Sequence, residues 1–152
     1  MTQARQSVLI VDDSPDGREM LAEYLTFRGF EVMEAVNGEE ALAQARAQHP
    51  AVVLMDLQMP GIGGWEATRQ LKADPATTDI IVIAVTAHAL TPDEAIARQA
   101  GCDGFISKPY DIKAVADGLG EVLQRGRSGL VELDGLNPLP RAAGRPRTTT
   151  TG

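Results

Sequence analysis

The sequence predicts an α/β domain: a doubly wound, five-stranded parallel sheet with helices on both faces. Three observations predict it. Uninterrupted apolar runs stand at SVLIV (7–11), AVVLM (51–55) and IIVIAV (80–85). Runs of this kind mark strands buried on both faces. Segments of helical period separate the runs. The resulting order is strand then helix, five times over, and strand–helix–strand crossovers join parallel strands.

SVLIV is the first strand and ends at Asp12 and Asp13. Ser14-Pro15 then opens a helix, with Pro at its first position. Met20, Leu21, Tyr24, Leu25 and Phe27 recur at helical spacing, and Gly29 stops that helix. FEVMEA (30–35) alternates as the second strand. GEEALAQARAQ (38–48) is Ala-rich and helical, and His49-Pro50 ends it, because a residue before Pro resists helical angles.

AVVLM is the third strand and ends at Asp56, followed by the loop MPGIGG (59–64) and a helix from about Trp65 to Ala73. IIVIAV is the fourth strand and ends at Thr86. Thr91-Pro92-Asp93-Glu94 combines a capping Thr, a Pro and a Glu three residues on, so a fourth helix starts there and ends near Gly101. GFIS (104–107) is the fifth strand and ends at Lys108-Pro109. Ile112, Val115, Leu119 and Val122 or Leu123 share one face of a last helix over 111–124, which Gly118 and Gly120 weaken.

Composition bounds the function. The 152 residues carry a formal charge of −7. An acidic chain is a poor nucleic-acid binder, since that footprint needs a basic patch. A single cysteine excludes an internal disulfide framework and a multi-cysteine metal site. No apolar stretch approaches the roughly 18 residues of a membrane span. The start MTQARQSVLIVDD lacks a secretory pattern. The expectation is a cytoplasmic protein. Composition changes near residue 126, so the expected division is a domain over 1–125 and a flexible tail over 126–152. The tail holds five Gly, three Pro and four Arg and carries +2, which leaves −9 on residues 1–125. Such a segment buries too little apolar surface to offset chain entropy. Within it, LVELDGL (130–136) alone has the apolar content to pack somewhere.

The chemistry lies in the residues at the carboxyl end of each strand: Asp12 and Asp13, then Asp56, Thr86 and Lys108. A parallel sheet gathers its carboxyl ends at one edge, where ligands of open α/β sheets sit. Three carboxylates together repel, and a divalent cation offsets that repulsion. All-oxygen ligands without His or Cys suit Mg²⁺, or Mn²⁺. Lys108 and the Thr86 hydroxyl suit the oxygens of a transferring phosphoryl group. A carboxylate beside the metal can become an acyl phosphate.

VLIVDD at strand 1, VVLMDLQMPGIGG at strand 3, VIAVTAHA at strand 4 and FISKP at strand 5 resemble the response-regulator receiver domain of two-component signalling, over about residues 6–125. The resemblance implies a flavodoxin-like fold with Asp56 as phosphoacceptor. It implies Asp12, Asp13, Asp56 and the backbone carbonyl of Gln58 around Mg²⁺. Thr86, Lys108 and the Ala87 N–H would contact the phosphoryl oxygens. Gly64 matches the glycine of the loop after strand 3. Thr86 and Phe105 would form the switch, although Phe105 also reads as a plain core aromatic. Gln58 and His88 fall on positions that tune phosphoryl lifetime. The implied partners are a histidine kinase or a histidine phosphotransfer protein and a downstream protein target. A homodimer through the fourth helix, fifth strand and last helix is a further option.

With only the tail after the last helix, the resemblance points to a stand-alone, single-domain regulator that turns over no external substrate. Two other functions compete. A haloacid-dehalogenase-like phosphatase also uses Asp, Mg²⁺, Thr and Lys, but it needs an Asp two residues after its strand 1 nucleophile. Ser14 and Pro15 stand at those spacings from Asp12 and Asp13. A receiver that docks without phosphorylation would not need the full set of Asp12, Asp13, Asp56, Thr86 and Lys108.

Overall fold

The computed structural model describes residues 7–57, 63–86, 100–107, 110–126 and 130. They form β1 (Ser7–Val11), α1 (Pro15–Phe27), β2 (Glu31–Ala35), α2 (Gly38–Gln48), β3 (Val52–Asp56), α3 (Gly64–Ala73), β4 (Ile81–Thr86), β5 (Gly104–Ser107) and α4 (Ile112–Arg125). The strands make one sheet in the order β2-β1-β3-β4-β5. Every neighbouring pair is parallel. The five strands and doubly wound layering expected from the sequence are present. The helix expected from Thr91 falls mostly on 87–99, outside the described residues. Its expected end is visible, since Ala100 is helical and Gly101 has a φ of 104°.

Every residue of β1, β3, β4 and β5 is buried. Alternate residues feed two cores, one on each face of the sheet. Val8, Ile10, Leu54, Ile83 and Ile106 pack with Leu21 and Leu25 of α1 and Val115 and Leu119 of α4. Leu9, Val53, Met55, Val82 and Phe105 pack with Leu42 of α2 and Leu71 of α3. Period-2 alternation of strand side chains produces both layers from one run of apolar residues. β2 is an edge strand and only Ala35 is fully enclosed, which explains its alternating sequence.

Local chemistry sets the boundaries. Asn37 caps α2 by accepting from Glu40 N, and the Glu40 carboxylate accepts from Val36 N, a reciprocal cap. His49 closes α2 in the left-handed region, at φ 46°, immediately before Pro50. Asp111 caps α4 through Lys113 N. β4 starts one residue later than the apolar run, because Ile80 N donates to Thr77 O in the preceding turn. α3 starts at Gly64, pressed against the end of β3.

Leu130 lies beyond the last helix and is 8% exposed. It packs in the α1–α4 core, with its Cδ2 3.1 Å from where a Gly104 side chain would begin. The missing side chain at the start of β5 is the space that Leu130 fills.

Candidate phosphoryl and metal site

The register of the sheet builds the site. Val11 of β1 lies opposite Met55 of β3, so the next residues, Asp12 and Asp56, emerge together. Asp56 in turn lies opposite Val85, and Thr86 succeeds it on β4 opposite Ser107. Asp12, Asp13 and Asp56 each offer a carboxylate oxygen within 4.8 Å of the others. Asp56 is 4% exposed and Thr86 is fully enclosed, whereas Asp12 is half-buried and Asp13 exposed. The cluster is thus a buried carboxylate at the bottom of a notch and two more at its mouth. All donors are oxygens at the spacing of a shared hard cation, which suits Mg²⁺ or Mn²⁺.

Phe105 is buried on the other face, with Ala84, Val82 and Leu71 in the same cluster. Trp65 and Cys102 pack against that cluster half-buried. Gln58, Ala87, His88, Lys108 and Pro109 lie outside the described residues. Of the residues expected from the sequence, the structure therefore brings together Asp12, Asp13 and Asp56, with Thr86 on the adjacent strand.

Two groups at the site escaped sequence reasoning. Arg18, on α1, donates from Nη1 to the Asp12 carbonyl and from Nε to the Glu34 carboxylate on β2, both at 3.0 Å. Its side chain is 12% exposed. Asp12 N donates to Ala35 O and Asp12 Oδ1 accepts from Ser14 N. The turn that carries Asp12 and Asp13 is therefore fixed from both sides. Arg18→Ala is expected to cost about 1–2 kcal/mol in urea unfolding, the range for losing charged hydrogen bonds that are partly screened. Arg18→Lys recovers only part, because one ammonium does not reproduce the fork that spans two acceptors. Equal stability of all three proteins would remove this role.

Tyr110 is the second group. Burial, then the charge of Asp12 and then that of Asp56, hold its phenol above the ordinary range. The folded state keeps this proton more tightly than the unfolded chain does. The resulting stability is full below the unfolded value of about 10 and is lost as pH rises through the folded one. An alkaline absorbance titration should show a late phenolate signal that Tyr110→Phe removes. Asp12→Asn should move the signal down only partway, since burial persists. A signal indifferent to Asp12→Asn would show that the phenol does not feel the cluster. No spacing rule connects Arg18 or Tyr110 to the carboxylates.

Comparison with known proteins agrees with this geometry. The family model for the response regulator receiver domain matches residues 8–119. The chain is 41% identical over 107 residues to the polar-differentiation response regulator DivK of Brucella ovis, covering 70% of this chain and 87% of that protein. The DivK of Brucella anthropi matches to the same extent. Among solved structures, the chemotaxis protein CheY4 of Vibrio cholerae superposes with a TM-score of 0.72 at 28% identity, over 76% of this chain and 97% of that one. The signal receiver domain of a DNA-binding response regulator from Colwellia psychrerythraea gives 0.70 at 30% identity, over 78% and 98%. A family match across most of the chain, on a five-stranded parallel sheet with acidic residues at the carboxyl ends of β1 and β3, leads to one conclusion: this chain belongs to the response regulator receiver domain family of two-component signalling.

Proposed function

We propose that this chain is a phosphoacceptor switch in which Asp56 takes a phosphoryl group from the phosphohistidine of a kinase or phosphotransfer protein. The observation that carries this reading is the carboxylate cluster, with buried Asp56 within 4.8 Å of Asp12 and Asp13. Asp12, Asp13 and Asp56 would hold Mg²⁺, with the Gln58 carbonyl completing the protein ligands. When bound, the ion neutralises the carboxylates and the phosphoryl oxygens. An Asp56 oxygen attacks phosphorus as the P–N bond of the donor breaks, and the departing imidazole takes a proton from solvent. Asp56 is 4% exposed, and burial of this kind restricts the orientation of a carboxylate and so the line of attack. The Thr86 hydroxyl and Lys108 hold phosphoryl oxygens, with the Ala87 N–H beside them.

The product acyl phosphate adds charge at the carboxyl edge of β3 and β4. Thr86 and Phe105 pass this change to the surface that selects protein partners. The domain over 1–125 performs these steps, and it turns over no external substrate. A phosphohistidine donor of two-component signalling places the chain in the cytoplasm. Among the described residues, no helix is long and apolar enough to cross a membrane.

The test is intact mass after incubation with acetyl phosphate, with and without Mg²⁺. The expected result is one added phosphoryl group, and only with Mg²⁺. No gain from acetyl phosphate, together with no binding of Mg²⁺ or beryllofluoride, would replace this reading by docking without phosphorylation.

A further inference from the structure

We propose that the arginine-bearing segment of this chain, residues 137–147, docks into the acidic groove between α1 and β2. The groove is a cavity of about 600 Å³. Ala22, Phe27 and Val32 supply its apolar surface, and Glu19, Glu23 and Glu34 its carboxylates. Phe27 is 82% exposed, more than any other large hydrophobic residue among those described. It sits where α1 meets the edge strand of the sheet, whose outer side pairs with no strand among the described residues.

The charges of this groove are only partly compensated. Arg18 serves Glu34 at 3.0 Å and approaches Glu19 only to 4.0 Å. Glu23 makes no ion pair among the described residues. The neighbouring groove between the end of α1 and α4 differs. There Asp117 is bound by Arg28 and Lys113, which hold its carboxyl below the usual range, and Glu121 is bound by Arg125. A cationic segment therefore has partners in the first groove, Glu23 and the loosely held Glu19, and only occupied ones in the second.

Residues 137–152 match what the first groove lacks. They contain Arg141, Arg145 and Arg147 and no acidic residue. Leu139 between Pro138 and Pro140 supplies an apolar side chain on a chain stiffened by proline. Reach is adequate. Leu130 is seated at the first residue of β5, in the same core layer as α1. β2 begins at the same end of the parallel sheet, four strand spacings or about 19 Å away. Val131 to Leu139 spans up to about 30 Å when extended. Tethering sets an effective concentration on the order of millimolar, so individually weak surface ion pairs are enough. Docking would shield Phe27 and place three guanidinium groups along α1.

The test uses the full ¹⁵N-labelled chain and its Arg141→Glu/Arg145→Glu/Arg147→Glu variant. Amide resonances of Glu19, Glu23, Phe27, Val32 and Glu34 are expected to move in the variant. Wild type in about 1 M NaCl, where the screening length falls to about 3 Å, should move along the same line. The amides of Asp117 and Glu121 should stay in place, as should all resonances on roughly tenfold dilution. Phe27→Ala, at an exposed position, should in turn shift the amides of Arg141, Arg145 and Arg147. Groove amides indifferent to charge reversal would overturn the proposal. Shifts that depend on dilution would overturn it in favour of a second copy, and shifts centred on Asp12 and Asp13 would place the segment on the carboxylate cluster instead.

Discussion

Asp56→Asn is expected to abolish phosphoryl uptake from acetyl phosphate, by roughly a hundredfold or more, because a neutral amide is not a nucleophile toward phosphorus. The exchange keeps the shape of a side chain that is 4% exposed at the end of β3. It also removes one of three carboxylates whose oxygens lie within 4.8 Å. Without a bound cation those charges repel, so the variant should be as stable as wild type or more so, by about 1 kcal/mol. Loss of uptake together with equal or greater stability separates the missing nucleophile from a missing fold. Intact mass after acetyl phosphate treatment checks the first outcome, and a urea unfolding curve checks the second. A variant that still gained the phosphoryl group would move the acceptor to another side chain. A variant that lost several kcal/mol would mean that Asp56 holds the fold rather than serves it.

Gly64→Ala should damage stability and uptake together. Gly64 opens α3 and stands against the backbone that bears Asp56, the proposed acceptor. An added Cβ would fall inside contact distance of the Asp56 main-chain oxygen, 2.9 Å from Leu57 Cα and 3.0 Å from Leu57 Cδ2. Main chain at the end of a central strand yields little, so either β3 or the start of α3 must shift. Overpacking of this kind costs about 1–3 kcal/mol, or about 2–12 °C in Tm for a chain of this size. Because the displaced atoms belong to Asp56 and Leu57, the geometry of attack suffers as well. Gly120→Ala is the internal comparison. It lies in the interior of α4 with nothing within 4 Å of a new Cβ, so it should stabilise the chain by up to about 1 kcal/mol and leave uptake unchanged. Equal melting temperatures for the two variants would show that the approach at Gly64 is not close enough to matter.

Sequence by itself determined the strands and the residues that stand at their ends. Three apolar runs with no polar interruption have few solutions other than central strands covered on both faces, and the helices between them force the strands parallel. Parallel strands put all their carboxyl ends on one side. The gathering of Asp12, Asp13 and Asp56, with Thr86 on the adjacent strand, was therefore legible from their order along the chain. Gly64 was legible only through family resemblance, because nothing in its local pattern reveals how closely α3 approaches β3.

Tertiary structure alone decided the rest. It set the strand order β2-β1-β3-β4-β5, which depends on how α1 and α4 share one face of the sheet while α2 and α3 share the other. It brought Arg18 to Glu34 across the α1–β2 junction, and Tyr110 into the field of Asp12 and Asp56. It also seated Leu130 in the space that Gly104 leaves open. The physical reason is common to all of these. Periodicity along a chain records which side of an element faces a core, because burial is repeated at every turn or pleat. A contact between single side chains on different elements is made once, by the packing of those elements, and leaves no period to read.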